Sequence, residues 1–233
     1  MKQFTKHLSL ISVLPFLASF IFVWHVESHA QILFATGSDA EVTEEGLRRV
    51  DPSQTASAWV SEDLNFSDYK QIWLMPTRVA FREVAERQAS ARSRESAEAF
   101  FVTDSRQSQF RELFGEEFHA SLSEVQSFEE TEQAGRDVLI VRGFLTDVAS
   151  GLPPESRGSG FTTIDWLWEV NYFIEMRDSM DNTLLARIGS RERVEGPFET
   201  SETNPVTSRS IRTWTSTLAR GLDQLFAAHI SGE

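Results

Sequence analysis

The chain has 233 residues, with 22 Lys and Arg against 35 Asp and Glu and a formal net charge of −13 at pH 7. A surface of that sign repels phosphate backbones and anionic lipid head groups, which argues against nucleic-acid binding. There is no cysteine, so a thiol nucleophile, a disulfide and the thioether link of an exported lipoprotein are all excluded.

The chain opens with Lys2 and Lys6, runs apolar from Leu8 to Trp24, and reaches Ser28-His29-Ala30 before turning polar. A basic start, an apolar stretch and small residues at the −3 and −1 positions are what export machinery and a signal peptidase recognise. Residues 1–30 are therefore read as a signal peptide cleaved after Ala30, with Gln31 leading a periplasmic chain. The alternative is an inner-membrane anchor, because Leu8 to Trp24 is nearly the ~18–20 apolar residues that cross a bilayer. Membrane contact is expected only through such an uncleaved segment, since no second apolar run of comparable length follows.

Residues 31–65 are polar with scattered Leu, Val and Trp, an extended lead-in lying on a single domain over 66–233. A first strand is expected from Tyr69 to Pro76, with Pro76 confining it to an edge or ending it. Arg82 to Glu98 is rich in Arg, Glu, Ala and Ser with few apolar anchors, a solvated helix or an insertion. Asp104 followed by Gln107 signals a helix start, and Phe110, Leu113, Phe114, Phe118, Leu122 and Val125 then recur at helical spacing.

After a possible short strand near Gln126 to Glu130, Asp137 to Asp147 alternates with apolar residues on both faces, which predicts a central strand. Leu139, Val141, Gly143 and Leu145 share one side. Gly151 to Gly160 is a loop by its Gly and Pro content. Ile164, Trp166, Trp168, Val170, Tyr172, Ile174 and Met176 then alternate with polar residues, and a second alternating run follows Met180-Asp181-Asn182. The two runs predict a hairpin that pairs Ile174 with Ile188 and Met176 with Ala186 inside, and Glu175 with Arg187 and Glu169 with Arg193 outside. That register implies a three-residue loop with Asn182 left-handed. A last amphipathic helix starts near Asn204-Pro205 and carries Ile211, Trp214, Leu218, Leu222, Leu225, Phe226 and His229 in one stripe. The fold class is α+β, a mostly antiparallel sheet with two amphipathic helices packed on one face.

Several short stretches, taken in order, resemble one family. They are Glu45-Gly46-Leu47-Arg48-Arg49-Val50, Asp68-Tyr69 with Pro76 and Val79-Ala80-Phe81, Asp137-Val138-Leu139, Asp178-Ser179, Leu185-Ala186-Arg187 and Thr203-Asn204. Trp214 with Leu218, Arg220, Leu222 and Asp223 completes the set. Together they resemble domain-of-unknown-function family 3313 of exported proteobacterial proteins, many of which look like outer-membrane lipoproteins. The resemblance implies fold and export, and supplies no catalytic residue.

Reactive constellations are absent from the sequence. There is no Gly-x-Ser-x-Gly, and Gly158-Ser159-Gly160 lacks the Lys and helix start of a phosphate-cradling loop. Only His119 and His229 remain beyond the leader, so a zinc or copper site would need both together with carboxylates or another chain, and each is expected instead at a helix end or interface. Glu169 and Glu175 share a strand face but lie about 20 Å apart, beyond the roughly 5–9.5 Å that glycoside hydrolysis uses. Trp166, Trp168 and Tyr172 are expected beneath the helices and not as a stacking platform. No catalytic, cofactor or metal residue is assigned.

The sequence thus points to a non-catalytic exported cell-envelope accessory or binding protein, partnered by an envelope protein or other envelope component. An envelope hydrolase using dispersed carboxylates is the alternative. Partner binding is expected at loops, with Leu152, Pro153 and Pro154 in one and Phe198 in the other, Gly196 to Pro205. Phe198 can also simply tuck onto the domain.

Overall fold

In the computed structural model, residues 32–51, 57–84, 99–125, 128–153, 163–199 and 203–230 are described. They form a seven-stranded sheet with strands β1 (Arg48–Arg49), β2 (Ala58–Val60), β3 (Gln71–Phe81), β4 (Glu129–Glu130), β5 (Val138–Ser150), β6 (Thr163–Asp178) and β7 (Leu184–Glu199), and helices α1 (Asp104–Ser123) and α2 (Thr203–Ile230). The order across the sheet is β1-β2-β7-β6-β5-β3-β4. Pairing is antiparallel from β1 to β5, while β3 runs parallel to both β4 and β5. The sheet is therefore mixed, because α1 intervenes between β3 and β5 and a helical crossover returns the chain in the same direction. The lead-in does more than lie on the domain: its β1 and β2 extend the sheet, and Leu47, Ala58 and Val60 are buried.

The long hairpin sets the two faces. Ile174 pairs with Ile188, Met176 with Ala186, Glu175 with Arg187 and Glu169 with Arg193, the expected register. Near the turn the register slips after Met176, so five residues, not three, separate the strands. Asp178 fixes this longer turn by accepting from Met180 N at 2.6 Å and Asp181 N at 3.3 Å, and Asn182 takes the left-handed conformation at φ 63°. Tyr69 Oη donates to the other Asp178 oxygen at 2.9 Å, tying the turn to the start of β3.

Both helices lie on one side. Helix α1 is capped by Thr103, one residue before the expected Asp104, with its hydroxyl accepting from Arg106 N. It buries Phe110, Phe114, Phe118 and Leu122. Helix α2 buries the expected stripe of Ile211, Trp214, Leu218, Leu222, Leu225 and Phe226. Side chains of this size each contribute about 1.5–3 kcal/mol on burial. The facing sheet surface supplies Leu139, Val141 and Leu145 from β5 and Val170, Ile174 and Met176 from β6, all at or near zero exposure. Trp168 lies in this layer too, donating from Nε1 to Thr207 of α2 at 2.8 Å.

Trp166 does not. The register of β6 slips by one residue between Trp166 and Glu169, and a slip of one reverses which face a side chain occupies. Trp166 is half-exposed against Arg193, whose guanidinium carbon is 4.4 Å from its ring centroid.

Pro76 lies within β3 and does not end it. It stands where β3 has passed its two-residue pairing with β4, so its missing N–H costs no ladder bond on that side. The Arg- and Glu-rich insertion falls mostly outside the described residues.

Gly143 of β5 marks a close approach of helix and sheet, since a Cβ there would lie 2.6 Å from Phe118 Cε2. Gly143→Ala is expected to destabilise the fold by about 1–3 kcal/mol through overpacking. Urea denaturation measures this, and combining it with Phe118→Leu should restore part of the loss; equal stability of Gly143→Ala and wild type would refute the packing account.

Candidate functional site

Two of the residues expected to serve as loop anchors, Leu152 and Phe198, are placed otherwise. Leu152 is only 5 % exposed and belongs to the hydrophobic core cluster, because Ser150 Oγ accepts from its backbone N–H and Gly151 N donates to Leu167 O. It floors an open groove of about 140 Å³ with Phe110, Leu113 and Trp168. Pro153 is half-buried beside it, and Pro154 lies outside the described residues. Phe198 is not in a loop: β7 runs to Glu199, and Phe198 pairs with Ile164 and packs on the core margin. Alternating character is weak in Arg191 to Glu199, which hid the strand.

The helix-free face of the sheet offers a different surface. From β5 it presents Ile140, Arg142, Phe144 and Thr146, and from β6 Phe173, Glu175 and Arg177. Arg187 and Arg191 of β7 continue the same rows. No helix among the described residues packs here, although the Thr43 to Leu47 turn reaches the β7 margin, where Glu45 meets Arg187 at 3.2 Å. At its centre Phe144 and Phe173 stack with centroids 4.9 Å apart and planes 10° apart. Arginines outnumber carboxylates on this face, the reverse of the chain as a whole.

At one end of the face, Arg82 donates from Nε and Nη2 to the two oxygens of Asp147 at 2.7 and 2.6 Å, and from Nη2 to Glu169 at 2.9 Å. Asp147 stands in a break of register between Thr146 and Ala149 with φ 53°, a left-handed conformation costing about 1–2 kcal/mol that turns its carboxylate toward Arg82. Arg191 and Arg193 complete the set around Glu169. Hydrogen bonding to Arg82 first, joined by Arg191 at Glu169, holds both carboxyls below the usual carboxylate range.

At the middle of the face, Glu175 is 8 % exposed and is held by Arg177 at 2.9 Å and Arg187 at 2.7 Å. The expected pairs with Arg187 and Arg193 are present. The partners Arg82 and Asp147 come in through a strand neighbour distant in sequence and a register break, Arg191 reaches Glu169 from the facing strand, and Arg177 lies two residues along the same strand from Glu175. His119 bridges from α1 to Glu130 of β4 at 3.2 Å, an interface role. The described residues hold no group of three or more His, Asp or Glu arranged for a metal.

The chain belongs to the family described as protein of unknown function (DUF3313), whose sequence model matches residues 42–208. The match runs from the sheet's outer edge into the first turns of α2, and so contains the whole helix-free face. No curated protein matches the chain. Solved structures similar to it include a PDZ domain protein from Parabacteroides distasonis, at 11 % identity over 70 % of this chain and TM-score 0.36, of which the chain spans 34 %. Protein XCC0632 from Xanthomonas campestris, of family DUF330, is similar at 7 % identity over 74 % of this chain and 90 % of that one, TM-score 0.38. The PelC dodecamer from Paraburkholderia phytofirmans is similar at 10 % identity over 70 % and 94 %, TM-score 0.31. At scores below 0.5 these likenesses carry no weight for function.

Because Asp147 and Glu169 are held below their unfolded values, their stabilisation is present above roughly pH 4 and is lost as pH falls through the lower folded values. Arg82→Gln is therefore expected to lower the melting temperature near neutral pH, with the gap from wild type closing as the pH falls below about 4. A gap that stays constant across a thermal-melt series would show that Arg82 acts through packing alone.

Proposed function

We propose that this is a non-catalytic accessory or binding protein of the cell envelope, and that it engages an envelope component through the helix-free face of its sheet. The observation that carries the reading is the state of the acids on that face. Asp147, Glu169 and Glu175 each lie against arginine, so they act as counter-ions within the surface.

A hydrolase using dispersed carboxylates needs one acid that holds a proton near neutral pH. Asp147 and Glu169 do converge, but on the Arg82 guanidinium, which favours the ionised form of both. Binding is supported further by the composition of the face: stacked aromatics beside arginines, the residue types that contribute most to recognition at low entropic cost. The basic, apolar and small-residue order of positions 1–30 supports export.

Two measurements test this. Intact-mass analysis of the envelope fraction is expected to find a chain starting at Gln31; a form retaining Met1 in the inner membrane would replace the periplasmic assignment with the anchored one. Photo-crosslinking in cells, with benzoylphenylalanine at Thr146 on the helix-free face or at Glu112 on the exposed side of α1, should give a discrete adduct from position 146 alone. Identical patterns from both positions, or none from 146, would remove this face as the binding surface.

A further inference from the structure

On the helix-free face, two arginines stand apart from the ion pairs around them. Arg142 of β5 and Arg78 of β3 have no hydrogen-bond or ion-pair partner among the described residues, and the Nε of Arg142 is enclosed without an acceptor. They occupy adjacent strands, which lie about 4.8 Å apart. Arg142 is registered with Met75, and Arg78 with Phe144, one step further along.

The position of Arg78 depends on a bulge. Between Met75 and Arg78 the strand advances three residues while β5 advances two, so Thr77 turns toward the helix layer, within 3.6 Å of the Cβ position at Gly115, and Arg78 turns outward. Without the extra residue, Arg78 would point at α1. The carboxylate within reach, Glu175, already accepts three hydrogen bonds from Arg177 and Arg187, and Arg177 spends its remaining Nη1 on Asn182 O at 3.0 Å. Burial, then the nearby Arg78 and Arg177, hold the Arg142 guanidinium below its usual value. Two like charges set side by side, with only the already shared Glu175 near them and no carboxylate paired to either among the described residues, are unfavourable unless an anion joins them.

We infer that Arg78 and Arg142 form a binding site for a phosphomonoester group, with the organic part of the ligand lying over the Phe144–Phe173 pair. This rests on the helix-free face being the binding surface. Two unpaired guanidinium forks match an anion carrying about −1.5 to −2 charge and three acceptor oxygens, which is the phosphomonoester at neutral pH. A carboxylate or a sulfate ester brings one charge and leaves the other arginine unneutralised. The acidic remainder of the chain repels anions that lack this local match.

The source of the phosphomonoester, a soluble molecule or a lipid head group, is separated by the test. Phenyl phosphate and phenyl sulfate are titrated calorimetrically into the mature protein, and flotation is measured with phosphatidylcholine vesicles containing phosphatidic acid or phosphatidylglycerol. Saturable binding of phenyl phosphate, at least about tenfold tighter than phenyl sulfate, is expected. Arg142→Gln and Arg78→Gln should each weaken it about tenfold, and Arg209→Gln on α2 should leave it unchanged. Arg78 is exposed, so its variant stays informative if Arg142→Gln fails to fold. Flotation with phosphatidic acid and not phosphatidylglycerol assigns a lipid source; phenyl phosphate binding without flotation assigns a soluble one. No saturable phenyl phosphate binding and no flotation, or equal affinity in wild type and both variants, overturns the inference, and a discrete crosslink at position 146 would still uphold the surface itself.

Discussion

The arrangement rests on the register of β6 against β7. With Ile174 opposite Ile188 and Met176 opposite Ala186, one face of the hairpin is apolar and the other carries Glu175 and Arg187. A shift of one residue would exchange them. Every other strand inherits that choice: β5 aligns Val141 with Met176 and Arg142 with Glu175, β2 aligns Val60 with Ala186, and the helices can then cover only the apolar side. A strongly acidic chain thereby presents an arginine- and aromatic-rich surface on the side its helices leave open.

Breaks in that register supply the unusual groups of the open face. The extra residue after Met75 delivers Arg78, the irregularity after Thr146 delivers Asp147 in a left-handed conformation, and the slip after Trp166 delivers the indole that stacks on Arg193. Each is a local departure from two-residue alternation on a strand otherwise held by its neighbours. Bulges re-aim side chains in this way, and here they act on one face.

The consequence is electrostatic differentiation within a single surface. Around Arg82 and Glu175 the charges are matched and hydrogen-bonded, which orders long side chains and fixes the shape of the face. At Arg78 and Arg142 no partner is present among the described residues. Paired guanidinium groups frame the surface, and unpaired ones retain the free donors that recognition of an anion requires.

Much of the fold was legible in the residues themselves. The alternation from Val170 to Met176 and from Leu184 to Ile188, interrupted only by Phe173 and Leu185, the helical stripe from Ile211 to Phe226, and the two-sided apolar pattern around Leu139 and Val141 determined the hairpin, the second helix and the central strand, because burial of one face leaves a periodic trace in sequence. The parallel pairing of β3 with β5 left no such trace, since both orientations bury the same residues. The bulges were equally silent: Trp166 keeps perfect alternation with Trp168 in sequence, and only the partner strand shows that an extra residue has intervened. Leu152 and Phe198 looked like exposed anchors because their flanks are polar, whereas the folded chain closes the core over one and pairs the other. The helix-free face gathers arginines from positions 78 to 193, and their adjacency is a property of strand order, so tertiary structure alone decided which of them meet carboxylates and which two do not.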